Sequence, residues 1–454
     1  MVGANDGPRM RSATKVLRAI RERRIGVKEL VSLYLERIER YDGARGLNAV
    51  AELNPDVIEQ AERMDAGYMD SERPLFGLPI LVKDNIDVSG MHTTAGSLAL
   101  KGNLADRDAP IIANLRKNGA IILGKTHMTE FANYTSQGMP NGYSSGGGQV
   151  KNAYDALADP SGSSSGSAVA VSAALCAASI GTDTSFSIVA CATNNGVVGL
   201  KPPHGALPSE GIIPISHTLD SAGPMADTFT DALLVYQGMR DEGGLDIAPA
   251  AAGDLHLAVN TYNRDQVSQD QWARYEALFR DLRGAGAKMS EVYHPYTPEM
   301  KDIMRCEFKH DLEAYLAKTP ASAKSLAEII AFYEAHPEAM KYGISYLQEA
   351  WAQASGRLDD APYLHAVYKR GRMREAMFQN MSTYDACVMT GPTNIMHFTG
   401  FASLALKLCM GDDGMPRGII LYGADEARLY RAALTVERYC RPVYAPNMQK
   451  WEAL

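Results

Sequence analysis

Hydroxyl-bearing residues gather in two short turns of this 454-residue chain. One is Ser161-Gly162-Ser163-Ser164-Ser165-Gly166, the other Gly181-Thr182-Asp183-Thr184-Ser185-Phe186-Ser187. A serine is a poor nucleophile until something removes its proton, so a cluster of hydroxyls directs attention to candidate bases. Lys83 follows Ile80-Leu81-Val82, and Lys125 follows Ile121-Ile122-Leu123-Gly124. A lysine at the end of a buried strand either snorkels to water or is held desolvated, where the neutral amine can accept a proton. From spacing alone the solvated end is the commoner outcome, and residue type does not choose between the two lysines.

Gly162-Ser163-Ser164-Ser165-Gly166 also satisfies Gly-x-Ser-x-Gly, the nucleophile elbow with Ser164 at its centre, which requires a strand directly before it. Tyr154 to Pro160 cannot form a buried strand, and none of the histidines stands out as the triad's base. The glycine-rich stretch 136–150 lacks the GK[ST] ending of a phosphate cradle and is expected to be a flexible surface loop near the site entrance. His127 fits a polar loop residue with backbone hydrogen bonds better than a catalytic group.

The elements that would position these residues alternate along the chain. Between the hydroxyl turns, Ser167 to Ser179 consists of Ala, Val, Ser, Leu and Cys. A helix with small apolar residues on every face has no solvent side and belongs in a large core. Residues 12–24 and Val27 to Tyr41 have helical periodicity. Leu47 to Leu53 suits a strand, and Pro55 to Ala66 a helix capped by Asn54. Phe76 to Asp87 contains a buried strand, Ala109 to Asn118 a helix ended by Gly119, and Ala120 to Leu123 a strand leading into a polar loop. Gly196 to Pro202 is a buried strand, Gly211 to Ile215 an apolar turn or edge, and Asp227 to Met239 a helix capped by Asp227. Leu255 to Asn260 and Met289 to Tyr293 flank a helix from Ser268 to Leu282. Residues 298–380 are mostly helical, followed by strands at Ala386 to Met389, Leu404 to Leu408 and Gly418 to Tyr422 and a helix from Ala424 to Cys440. Such alternation predicts an α/β sheet covered by helices on both faces.

Composition bounds the function. At 46% hydrophobic and 22% charged residues the chain can bury a substantial core. A net charge of −8 lacks the basic patch that nucleic acid requires. Neither a signal-peptide pattern near the start nor a membrane-length apolar run is present, so a cytoplasmic location with no membrane partner is expected. The six cysteines (176, 191, 306, 387, 409, 440) are spread through apolar runs, as buried thiols in a reducing compartment would be.

In order, the motifs resemble those of the amidase signature family of serine hydrolases. GGSSGG followed by GTDTGGS is mirrored by Ser161 to Gly166 and Gly181 to Ser187; GVPxxVKDN by Gly77 to Asn85; GAxxLGKTNxxEF by Gly119 to Phe131; GVVGLKP by Gly196 to Pro202; and GxPxG by Gly414 to Gly418. The similarity runs from about Leu30 to Arg441. It implies the amidase signature fold, an α/β architecture with a large mixed central sheet in a single domain over 1–454, with an N-terminal helical layer at 1–70, a catalytic core at 71–240 and a substrate-shaping helical region at 298–380. It also implies a Ser-cisSer-Lys triad: Ser187 the nucleophile, Ser163 the bridging serine after a cis peptide bond, Lys83 the base, and Lys125 structural. Backbone N–H groups of Thr184, Ser185, Phe186 and Ser187 would face the oxyanion, with Ser164 and Asp183 orienting the network. His397, Phe398 and Phe401, within Asn394 to Phe401, are expected in the substrate pocket. No metal and no cofactor is implied.

The chain departs from the family pattern at Phe186 and Ser185, where glycines are usual, and at Ser165, Val189 and His127. Ser163 to Ala168 and Gly211 to His217 look closest to the peptide-amidase-like branch. The expected activity is hydrolysis of a carboxamide in a small amide or peptide-amide substrate, a linear amide rather than a peptide bond, through an acyl-enzyme. Two alternatives stand beside it: a glutaminase chain that supplies ammonia to a partner, and an amide-binding pseudo-enzyme whose site Ser185 and Phe186 have closed. Whether the chain is a monomer or a homodimer is left open.

Overall fold

The computed structural model describes residues 10–43, 45–67, 73–241 and 244–452. Residues 1–9, 44 and 68–70 of the expected N-terminal layer lie outside the described residues. Along the chain the elements are α1 (Ala13–Arg21), α2 (Val27–Tyr41), β1 (Val50–Leu53), α3 (Val57–Ala66), β2 (Pro79–Lys83), α4 (Pro110–Lys117), β3 (Ile121–Thr126), β4 (Tyr143–Ser144), β5 (Gly148–Gln149), α5 (Ser165–Ser172), β6 (Ala178–Asp183), α6 (Val189–Asn194), β7 (Val198–Lys201), β8 (Ser221–Ala226) and α7 (Phe229–Met239). The remainder are β9 (His256–Asn260), α8 (Gln269–Gly284), β10 (Lys288–Val292), α9 (Met300–Leu316), α10 (Leu326–Ala335), α11 (Ser345–Gln353), α12 (Ala361–Met381), β11 (Ala386–Met389), α13 (Ile395–Thr399), β12 (Ala402–Met410), β13 (Pro416–Gly423) and α14 (Glu426–Val436).

Among the described residues, eleven strands form one sheet in the order β1-β3-β2-β6-β8-β7-β12-β13-β11-β9-β10. It is mixed: β2 runs parallel to β3 and β6, whereas β6 and β8 are antiparallel. Every residue of β2, β3, β6 and β7 is buried, which requires cover on both faces.

The segment between the hydroxyl turns differs from the expected single helix. Helix α5 ends at Ser172, Ala174 takes a left-handed φ of 56°, and Ala178 onward is strand β6. Pairing on both sides, with β2 and β8, overrides the helical preference of an alanine-rich stretch. Turn and strand together bring Ser161–Gly166 beside Thr182–Ser187.

Other boundaries shift for local reasons. Strand β3 continues through Lys125 to Thr126, because β1 and β2 supply partners for its polar end. Asn54 Oδ1 accepts from Asp56 N–H and its amide donates to Ile122 O, so it makes a turn before α3, which starts at Val57. Thr228, not Asp227, caps α7, accepting from Asp231 N–H at 3.1 Å; Asp227 instead pairs with Lys407 and Arg11. The glycine-rich stretch forms the β4–β5 hairpin rather than an open loop, held by Ser145 N–H on Glu130 and Gly142 N–H on Thr129. Helices α9, α10 and α11 share an apolar cluster with Phe131, Ile213 and Ile215, which lays the helical region across the end of the sheet where β2 and β6 finish.

Candidate active site

Strand β2 delivers Lys83 into the interior, where its side chain is fully buried. Lys83 Nζ lies 2.8 Å from Ser163 Oγ, 2.7 Å from Thr182 Oγ1 and 3.2 Å from Thr182 O. Ser163 Oγ lies 3.1 Å from Ser187 Oγ, and the Gly162–Ser163 peptide bond is cis. A neutral amine has two N–H groups and one lone pair. Two contacts to Thr182 use the protons and leave the lone pair for the Ser163 hydroxyl, so the geometry suits relay of a proton from Ser187 through Ser163 to Lys83. Burial pushes the Lys83 ammonium down to about 7 against the opposing pull of Asp183 and Asp220, which keeps much of it neutral near physiological pH.

The other polar groups fix this line of atoms. Ser164 Oγ donates to Thr182 O at 3.0 Å and accepts from Thr182 N–H at 3.3 Å, tying one turn to the other. Asp183 Oδ2 accepts from Ile188 N–H at 2.7 Å and Val189 N–H at 3.4 Å, anchoring the chain just past Ser187. Thr184 Oγ1 donates to Asp220 Oδ1 at 2.5 Å, and Asp220 Oδ2 accepts from the N–H groups of Ile215 and Ser216. Burial raises the Asp220 carboxyl to about 6. Sequence reasoning missed Asp220 and Thr182 because an acid or a threonine carries no signal until the fold places it beside the lysine.

Of the four expected oxyanion donors, the N–H groups of Thr184, Ser185 and Ser187 donate to no other described residue. Phe186 departs from the expectation: its N–H donates to His397 Nε2 at 3.3 Å. Phe186 has a left-handed φ of 68°, which costs a bulky L-residue about 1–2 kcal/mol.

Lys125 is also fully buried, but it donates to His92 O at 2.9 Å and Thr93 Oγ1 at 3.2 Å, with Asp84 at 3.8 Å. It supports the loop after β2 and does not reach the serines. A third buried lysine, Lys201, donates to Phe401 O at 2.8 Å. His127 engages its neighbours through the backbone, accepting from Gly166 N–H and donating to Ala49 O, as its loop position suggests.

A cavity of about 370 Å³ opens in front of Ser187, bordered by Ser185, Tyr134, Ile215, Met304, Arg305 and Tyr346. Tyr134 and Tyr346 stack at 5.5 Å, and Arg305 is paired with Asp302 and Glu349. The pocket residues expected near the C-terminus are corrected here. His397 is fully buried behind Phe186, Phe398 packs with Leu219 and Ile303, and Phe401 belongs to the main core; none borders this cavity. Every residue of α13 is buried, and its two polar side chains bond inside: His397 Nε2 accepts from Phe186 N–H and Thr399 Oγ1 donates to Ile395 O.

The serine pair and the buried lysine lie together where the motifs bring them, and comparison with known proteins bears on the family. The family model described as Amidase matches residues 29–410. The chain belongs to the amidase family. A probable amidase of Arabidopsis thaliana is 33% identical over 457 residues, spanning 92% of this chain and 88% of that protein. A glutamyl-tRNA(Gln) amidotransferase subunit of Exiguobacterium sibiricum is 30% identical over 465 residues, spanning 92% and 95%. Among solved structures, the native peptide amidase of Stenotrophomonas maltophilia superposes with a TM-score of 0.89 at 31% identity, covering 96% of this amidase and 98% of that chain. This amidase is thus an amide hydrolase with the amidase signature fold. No helix among its described residues is long and apolar enough to cross a membrane.

Proposed function

We propose that this amidase hydrolyses the carboxamide of a small linear amide or peptide amide through an acyl-enzyme on Ser187. The observation that carries the proposal is the unbroken line from Ser187 Oγ to Ser163 Oγ (3.1 Å) to Lys83 Nζ (2.8 Å) at the floor of a cavity. Ser187 Oγ attacks the carbonyl carbon while its proton passes to Ser163, whose own proton moves to Lys83. The carbonyl oxygen becomes an oxyanion facing the N–H groups of Ser185 and Ser187, with Thr184 adjacent. The Lys83 ammonium then returns a proton through Ser163 to the leaving nitrogen, which departs as ammonia or an amine. Water repeats the sequence against the acyl group and releases the acid.

The aromatic pair Tyr134 and Tyr346 and the paired Arg305 suit an extended substrate with a hydrophobic side chain near its amide. A second reading, a glutaminase that feeds ammonia to a partner, is favoured by the resemblance to the Exiguobacterium protein along nearly all of both chains. Assaying ammonia release from a dipeptide amide and from free glutamine separates them. Turnover of the peptide amide by the isolated protein supports the proposal; glutamine turnover that appears only after a partner chain is added supports the second reading. The absence of both activities, and of any fluorophosphonate adduct at Ser187, would refute the proposal.

A further inference from the structure

The left-handed backbone of Phe186 has to be imposed, because a bulky residue relaxes to negative φ when nothing opposes it. Ala190 N–H donates to the Phe186 carbonyl at 2.8 Å, and among the described residues one side chain hydrogen-bonds the Phe186 amide. His397 Nε2 accepts the Phe186 N–H at 3.3 Å, and its imidazole meets the phenyl ring edge to face, with centroids 4.5 Å apart and planes at 63°. His397 Nδ1 faces Asp183 Oδ1 at 3.3 Å, with both side chains fully buried. Neither atom makes a hydrogen bond among the described residues, so the approach is a close, imperfectly aligned contact. Since Nε2 is the acceptor and Nδ1 faces a carboxylate, the proton belongs on Nδ1. Asp183 therefore touches the loop twice, accepting through Oδ2 from Ile188 and Val189 N–H and placing Oδ1 3.3 Å from the imidazole that holds Phe186.

We infer that His397 is a positioning residue for acylation: oriented by Asp183, it holds Phe186 in its left-handed conformation and so keeps the 185–187 backbone aligned, with Ser187 Oγ within reach of Ser163 and the Ser185 and Ser187 N–H groups toward the cavity. A glycine at 186, as in the motif that this turn resembles, would adopt the same φ unaided. The imidazole compensates for the phenylalanine. This inference rests on Ser187 being the nucleophile.

The test compares fluorophosphonate labelling rates of wild type, His397→Ala, His397→Gln, Phe186→Gly and the double variant Phe186→Gly/His397→Ala, with folding checked by circular dichroism and the Phe186 amide followed by hydrogen exchange. Labelling of wild type at Ser187 establishes the nucleophile independently, whatever the variants do. His397→Ala is expected to label about tenfold or more slowly and to lose protection at the Phe186 amide. His397→Gln, whose Oε1 reaches the place of Nε2, is expected to recover most of both. In the Phe186→Gly background the same alanine should cost less than about threefold, because coupled residues are not additive. Equal losses in both backgrounds, no rescue by glutamine, or unchanged amide protection would overturn the inference. The exchange result decides even if wild type does not label. A His397→Ala protein that folds only when Phe186→Gly is added reads the same coupling as stability and supports it; one that folds in neither background overturns it.

Discussion

Lys83 Nζ lies nearer to Thr182 Oγ1, at 2.7 Å, than to Ser163 Oγ, at 2.8 Å, and Thr182 Oγ1 also accepts from Asn85 Nδ2 at 3.1 Å. The threonine thus aims the amine as well as accepting from it. An acceptor beside a lysine favours its charged form, so removing this one lowers the pKa. Thr182→Val is expected to cut the plateau acylation rate about tenfold by loosening the lone pair's aim, while shifting the inflection of the pH–rate profile below that of wild type. A plateau and inflection both equal to wild type would show that the threonine has no part in aiming the base.

The wild-type profile follows from the same lysine. In the proposed mechanism Lys83 can act as a base only when neutral, and burial lowers its pKa to about 7. Acylation should therefore rise about tenfold per pH unit below that value and level off above it. Rates of fluorophosphonate labelling between about pH 5 and 9 measure this directly. Ser187→Ala should abolish labelling, and Lys83→Ala should reduce it by about a thousandfold or more, because among the described residues no other titratable side chain hydrogen-bonds Ser163 or Ser187.

Lys125 separates structure from chemistry. It is as buried as Lys83 but bonds to the His92 carbonyl and Thr93 hydroxyl and faces Asp84. Lys125→Met should destabilise the fold by about 3 kcal/mol, since Asp84 loses its buried cation. The folded fraction should still label at Ser187 at close to the wild-type rate. Urea unfolding and labelling of the same sample test both halves; a stable protein that fails to label would put Lys125 in the mechanism.

Gly166 marks where the serine turn passes against the backbone of two other segments. A Cβ there would sit 2.4 Å from His127 O and 2.5 Å from Ala49 O, neither of which belongs to a movable side chain. Gly166→Ala is expected to cost about 1–3 kcal/mol and to displace Ser163 from Lys83, lowering both the urea midpoint and the labelling rate. A variant equal to wild type in stability would contradict the packing described around the turn.

Much of this site is legible in the sequence, and the parts that are not share a cause. Lys83, Ser163 and Ser187 sit in contiguous motifs whose residue types carry the chemistry, and the strand that bears Lys83 is a short apolar run. Ala178 to Asp183 escapes local pattern because small residues between two neighbouring strands look like helix, and only the pairing with β2 and β8 decides the matter. Asn54 and Asp227 have the right types for caps, yet each finds a more distant partner. The roles of Thr182, Asp220 and His397 depend on contacts between remote segments, about which local pattern is silent. His397 illustrates this most plainly: a histidine in an apolar stretch suggests a pocket, whereas its neighbours make it a brace behind the loop.

The bond between Phe186 and His397 joins residues 211 positions apart, and the central sheet inserts β12, β13 and β11 between β7 and β9. Contacts of such long range close late, after the entropy of closing the intervening loops has been overcome. During synthesis, the two hydroxyl turns and Lys83 leave the ribosome long before α13 does. The nucleophile loop therefore gains its brace only after α13 is available to fold, so a chain still short of α13 carries Lys83, Ser163 and Ser187 without the contact that holds Phe186.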